Sequence, residues 1–214
     1  MKVDLDQKLL IYAQGELAGT HAKTGEGVIR FRPESCLAIV DSTRAGSTAS
    51  AVLGVGGDIP VVGSMAEALD FGADAMLLGC AFTGGKLPDK WRQDIVFALE
   101  HGIDVINGLH DFLGDDEEFS SVAKANGRKL IDLRQPPDYL EVAMARAAYV
   151  KAHTVLTVGT DCSVGKMTTS LALMEESKRR GNRARFVATG QTGIMIDGLG
   201  VAIDRVIGDF MADR

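Results

Sequence analysis

Residues 159–170 read GTDCSVGKMTTS, and the rest of the chain is best read outward from them. The apolar run HTVLTVG (153–159) precedes this stretch, and a helical pattern from about Lys166 to Arg180, closed by Gly181, follows it. Strand, glycine-containing turn and helix are the setting of a phosphate-binding loop. Successive backbone N–H groups in such a turn form a concave nest for anionic oxygens, the helix N-terminus adds partial positive charge, and Lys166 adds a full one. The usual spacing is G-x-x-x-x-G-K-[S/T]. Here Gly159 lies one residue further from Gly165, and Met167 stands where nucleotide hydrolases place the hydroxyl that binds magnesium. Either Thr168 substitutes for that hydroxyl, or the loop grips a diphosphate without catalytic magnesium. Coenzyme A carries such a diphosphate and reacts at its distant thiol. The candidate cradle comprises Gly159, Thr160, Asp161, Cys162, Ser163, Val164, Gly165, Lys166, Met167, Thr168 and Thr169.

A second loop, TGQTGIM (189–195), follows the apolar run ARFVATG (184–190). Adjacent parallel strands would bring it to the same sheet edge, where Gly190 permits close approach and Gln191 and Thr192 offer hydrogen bonds. Only about fifty residues follow the first loop. That is short of the several β-α units needed to cover both faces of such a sheet. We expect a fragment, or a domain that a partner completes.

Upstream, short apolar runs alternate with helical patterns. CLAIVD (36–41), IPVVG (59–63), DAMLLGC (74–80), IDVING (103–108) and KLIDLR (129–134) read as buried strands, with LLIYA (9–13) as an added edge strand. SMAEALDFG (64–72), DKWRQDIVFALEHG (89–102) and DDEEFSSVAKANG (115–127) read as helices; Ser64 and Asp89 are plausible N-caps, and Gly72, Gly102 and Gly127 are the stops. Repeated β-α-β units imply an α/β fold with a mostly parallel sheet and right-handed crossovers. RQPPDY (134–139) breaks the rhythm, because two prolines exclude helix and central strand. We therefore divide the chain into domains 1–135 and 136–214, the second opening on a connecting helix over 139–152.

Composition narrows the function. The net charge is −6 with no long basic run, so nucleic acid is not an expected partner. Three scattered cysteines, Cys36, Cys80 and Cys162, form no CxxC pair, which argues against zinc and against a disulfide framework; no metal is expected and a reducing cytoplasm fits best. The opening residues lack the pattern of a signal peptide, and no stretch approaches a membrane span.

Polar residues gather where the first-domain strands end: Asp41 and Ser42, then GCAFTGGK (79–86), then NGLHDFL (107–113) and Arg134. Open parallel sheets bind ligands outside these carboxyl ends. Asp204 and Asp209 lie near the last apolar segment; either could face the site or both could be solvated helix residues, and Asp204 reads rather as the latter.

Taken together, GTDCSVGKMTTS, FVATGQTGIMI and NGLHDFL, with IPVVGSMAEAL and GCAFTGGKLPDKWR, resemble the DgcN family of D-glutamate N-acetyltransferases along nearly the whole chain. Members of that family are longer than this chain. The resemblance implies an N-terminal Rossmann-like domain and a C-terminal P-loop domain. It also implies acetyl transfer from acetyl-CoA to the amine of D-glutamate. Such chemistry needs a proton acceptor, for which Asp111, His110 and Asp41 are the candidates in that order. It also needs cations for two carboxylates, for which Arg134, Arg44 and Lys86 are the candidates. The loop alone is also similar to that of dethiobiotin synthetases, which leaves open a nucleotide-dependent enzyme using ATP with magnesium. A non-catalytic nucleotide or coenzyme A sensor is the third reading. A small-molecule substrate and a homo-oligomer are expected.

Overall fold

The computed structural model describes residues 3–137, 146–161 and 164–206. Its centre is a six-stranded, all-parallel sheet made of β1 (Leu9–Tyr12), β2 (Cys36–Val40), β3 (Val61–Val62), β4 (Ala75–Leu78), β5 (Asp104–Asn107) and β6 (Leu130–Asp132), in the order β3-β2-β1-β4-β5-β6. Every residue of β1, β4 and β5 is buried, as expected of parallel strands covered on both faces. Register is continuous through the centre: Ile11 pairs with Ile39 on one side and Leu77 on the other, and Met76 pairs with Val105. The order runs outward from β1 in one direction and from β4 in the other. Right-handed crossovers therefore place α1 (Lys23–Phe31) and α2 (Ala49–Leu53) on one face. The opposite face carries α3 (Met65–Ala68), α4 (Arg92–Glu100) and α5 (Glu117–Ala125).

The strands and helices read from the first domain's sequence are present. Gly72, Gly102 and Gly127 end their helices with φ of 65°, 84° and 63°. Ser64 caps α3 through the Glu67 N–H, whereas α5 is capped by Asp116, which accepts from Glu118 and Phe119. Asp89 opens a short 3-10 turn and caps nothing. One expectation is corrected here. The 9–13 run is not an edge strand: β1 lies between β2 and β4 in the middle of the sheet. The sequence also gives no sign of α1, whose KTGEGVIRF contains two glycines at about 1 kcal/mol each against helix.

Those glycines explain the architecture. Gly25 faces the sheet, where an added Cβ would lie 2.8 Å from Ile11 Cγ2 and 3.3 Å from Gly79 Cα. Gly27 faces the other way, where a Cβ would lie 2.7 Å from Thr192 Cγ2, 3.7 Å from Met167 Cε and 3.8 Å from Ile196 Cδ1. Helix α1 is thus buried on both sides, between the sheet and α7 (Gln191–Asp197) of the second part. Arg32, just past α1, fastens the same seam by donating to Met195 O, Leu5 O and Ser35 Oγ.

The second part departs from the sequence reading. Helix α6 (Lys166–Arg179) is present as expected. Neither 153–159 nor 184–190 forms a strand; among the described residues this region has a single bridge, Ala188 to Gly200. A strand exists through its paired neighbours, and Val155, Leu156 and Val158 are 75%, 76% and 80% exposed. Of the connecting helix, 138–145 lies outside the described residues, and Arg146–Tyr149 is a 3-10 turn. Among the described residues no helix is long and apolar enough to cross a membrane.

Gly27→Ala is expected to destabilise the fold. The overlap with Thr192 cannot be relieved by rotation without breaking the Thr24 Oγ1 to Thr192 Oγ1 hydrogen bond of 3.1 Å. Overpacking costs about 1–3 kcal/mol, against roughly 1 kcal/mol gained in helix propensity, and thermal unfolding should move down by about 2–4 °C per net kcal/mol. Burial pushes the Cys36 and Cys80 thiols up to about 12, so the thiolate is absent near neutrality. Alkylation at about pH 8, read by mass spectrometry, should spare both cysteines in the folded protein and modify them once it is unfolded.

Candidate functional site

Strand order reverses between β1 and β4, the usual place for a ligand in an open parallel sheet. Here protein occupies that place. The Gly25 N–H donates to Gly79 O at 2.7 Å, laying the first turn of α1 on the end of β4. Asp41, fully buried at the end of β2, accepts backbone N–H bonds from Gly15 (3.1 Å), Leu17 (2.9 Å) and Thr43 (2.9 Å), and the Thr43 hydroxyl at 2.7 Å. This candidate base is therefore a latch that holds the β1–α1 loop, with its oxygens committed to the protein. Gln14 and Ser42 close the loop reciprocally, Gln14 Nε2 donating to Ser42 Oγ at 2.6 Å and Gln14 Oε1 accepting the Ser42 N–H at 2.9 Å. Arg44 is exposed on the β2 side. Three strand spacings, roughly 14 Å, separate β2 from β5, so Arg44 stands apart from the residues that follow β5.

Those residues do come together. Asn107, buried at the end of β5, donates to Asp111 O (2.8 Å) and Asp132 Oδ1 (2.7 Å) and accepts the Leu109 N–H (2.9 Å), which fixes the turn that presents His110. The His110 ring lies on Gly85: an added Cβ there would fall 2.2 Å from His110 Cδ2. Backbone bonds from His110 N (2.9 Å) and Asp111 N (3.3 Å) to Gly85 O join the two loops. Asp111 is exposed, and its Oδ2 accepts the Leu87 N–H at 3.1 Å, so it stitches the 82–87 loop to its neighbour. Lys86 is exposed on that loop.

Across from His110 lies Asp204. His110 Nε2 is 3.7 Å from Asp204 Oδ2, with the two side chains 40% and 43% exposed. Arg134 is buried; it donates through Nε to Gly108 O at 2.7 Å and pairs with Asp204 through Nη1. Its charge is thus paired within the protein, with Asp204. Arg205 donates to His110 O at 3.1 Å and stacks its guanidinium 4.6 Å from the Phe112 ring centre. Phe112, Pro136, Asp204, Arg205 and Val206 line an open recess of ≈ 370 Å³. The reading of Asp204 as a solvated helix residue is corrected: it sits in a 3-10 turn and holds an ion pair across 70 residues of sequence. Arg205 was missed altogether, because no local pattern announces a contact to a distant turn. Asp209 lies outside the described residues.

The phosphate loop is the third component. Gly165 takes φ of 91°, with nothing within 4 Å of an added Cβ, and the 14-residue helix α6 starts directly after it with no side-chain cap. The first helical bond runs from Thr169 N to Gly165 O at 2.9 Å, and the Thr169 hydroxyl bonds the same oxygen at 3.0 Å. Lys166 folds its ammonium back onto Asp161 O. Thr157, before the loop, donates to Lys166 O at 3.1 Å and meets Ser170 Oγ at 2.7 Å, tying the incoming segment to the helix. An uncapped helix start, a left-handed glycine and an adjacent ammonium are the donor set a diphosphate requires. Cys162 and Ser163 lie outside the described residues, Thr160 and Val164 are exposed, and Thr168 is exposed at the first turn. Met167 turns into the seam against Gly27, which accounts for a thioether where a hydroxyl was expected. From Gly190, α7 links this loop to the recess: Thr192 touches α1 beside Met167, and Gln191 packs on Gly108, two residues from His110.

Known proteins share this fold. Residues 42–136 match a domain of unknown function, DUF1611_N, described as Rossmann-like, and residues 141–214 match its companion DUF1611_C, described as a P-loop domain. A protein from Tritonibacter scottomollicae named D-glutamate N-acetyltransferase is 45% identical over 149 residues, covering 70% of this chain and 44% of that relative. One of the same name from a Pseudoalteromonas species is 44% identical over 149 residues, with the same coverage of 70% and 44%. The crystal structure of a DUF1611 family protein from Anabaena variabilis superposes with a TM-score of 0.91 at 36% identity, covering 97% of this chain and 60% of that one. This chain therefore spans less than half the length of the curated relatives it matches. With a Rossmann-like domain followed by a P-loop domain, the chain belongs to the DUF1611 family.

Proposed function

We propose that the chain serves N-acetyl transfer, with acetyl-CoA as donor and the amine of D-glutamate as acceptor. The observation that carries this reading is the juxtaposition of an uncapped phosphate loop with an open recess lined by Asp204 and Arg205, with His110 beside Asp204, the two linked by the start of α7. The names of the relatives at 45% and 44% identity support it. In this reading the N–H groups at the start of α6 and Lys166 hold the coenzyme's diphosphate. Acetyl-CoA supplies the acetyl group as a thioester: the amine nitrogen bonds the carbonyl carbon, the carbon–sulfur bond breaks, and the amine's proton ends on the departing thiol.

The amine must be neutral to react. His110 is the side chain placed to take its proton, because Asp204 facing Nε2 favours a proton on that nitrogen and leaves Nδ1 as acceptor. Asp111 acts beside it by holding the 82–87 loop in place, and Asp41 acts on stability alone.

Three measurements on the full-length protein test the scheme. His110→Gln should lower kcat by about 10²–10⁴-fold with the melting temperature unchanged; undiminished turnover would remove His110 as the base. Asp41→Ala should do the opposite, costing about 1–3 kcal/mol for each N–H left unsatisfied in urea unfolding while the protein that remains folded still turns over. Lys166→Ala should weaken acetyl-CoA binding by roughly tenfold or more in calorimetry, and wild-type binding should persist in EDTA. A strict magnesium requirement would favour nucleotide chemistry instead.

A further inference from the structure

We infer that Arg205 is the residue that takes a carboxylate of the amino-acid acceptor, which makes the recess beside His110 a site for acidic amino acids; this rests on the acetyl-transfer reading for the identity of the acceptor. Arg205 is anchored on two sides by the Phe112 ring and the His110 carbonyl. No carboxylate among the described residues pairs with it. The other arginine beside the recess, Arg134, is neutralised by Asp204, and Arg92, farther along the same sheet edge, by Asp116 and Glu118. Arg205 is exposed and lines the open recess together with Asp204. A guanidinium held in place, with no carboxylate partner among the described residues, offers its remaining N–H donors to a planar anion with little ordering left to pay. The charged residues lining the recess are Arg205 and Asp204, one of each sign. Asp204, with the His110 imidazole beside it at 3.7 Å, sets next to that cation the carboxylate an amine needs. Cation and anion side by side match the opposite ends of an amino acid, whereas a simple alkylamine would leave Arg205 unused.

The test uses the full-length protein with Arg205→Met and Arg205→Lys, titrating D-glutamate by calorimetry and measuring KM for both substrates. Arg205→Met should raise the D-glutamate Kd and KM at least tenfold and leave the acetyl-CoA KM unchanged. Arg205→Lys should recover part of the loss. Unchanged D-glutamate affinity in Arg205→Met, an equal loss of acetyl-CoA affinity, or a wild type that binds no D-glutamate would each overturn the assignment. Binding is read without turnover. A wild type that holds D-glutamate through Arg205 yet transfers no acetyl group would therefore refute the acetyl-transfer reading while leaving the carboxylate site standing.

Discussion

The close approach of α1 to two surfaces at once is the constraint on which the rest of the structure depends. A helix normally buries one stripe and leaves the other to solvent. Here Gly25 lets the helix settle on the sheet, and Gly27, on the opposite side, lets Thr192, Met167 and Ile196 settle on the helix. Any side chain at either position would push one layer away. The P-loop part is therefore fitted against the Rossmann-like part, and Arg32, Arg134 and Arg205 each add a polar tie across the same seam. The phosphate loop and the His110 recess owe their shared boundary to that fit.

Much of the first domain was legible in the sequence because its signals are local. Buried parallel strands leave continuous apolar runs, and glycine marks the helix ends through the left-handed conformation it adopts there. Helix α1 was illegible because its stability comes from burial on both sides, which outweighs a poor intrinsic propensity. The central position of β1 was hidden for a related reason: a four-residue apolar run says that it is buried but not which strands flank it.

The candidate site divides along the same line. Residues that follow strands, such as His110 and Asp111, could be singled out from position alone. What each one does could not. Asp41 looks like an available acid in sequence and proves to be encircled by the N–H groups of its own and a neighbouring loop. Arg134 looks like a ligand-binding cation and proves to be committed to Asp204. Asp204 and Arg205, which complete the recess, derive their significance from contacts with residues about seventy to ninety-five positions away, a distance over which periodicity carries no information.

The exposed apolar run at Val155, Leu156 and Val158 has a colloidal consequence. Apolar, and with no backbone partner among the described residues, such a run can recruit a like run from another molecule as a cross-strand neighbour. A net charge of −6 opposes that encounter at low ionic strength and loses its reach as salt is added. The segment leading to the phosphate loop is thus where such an encounter would begin.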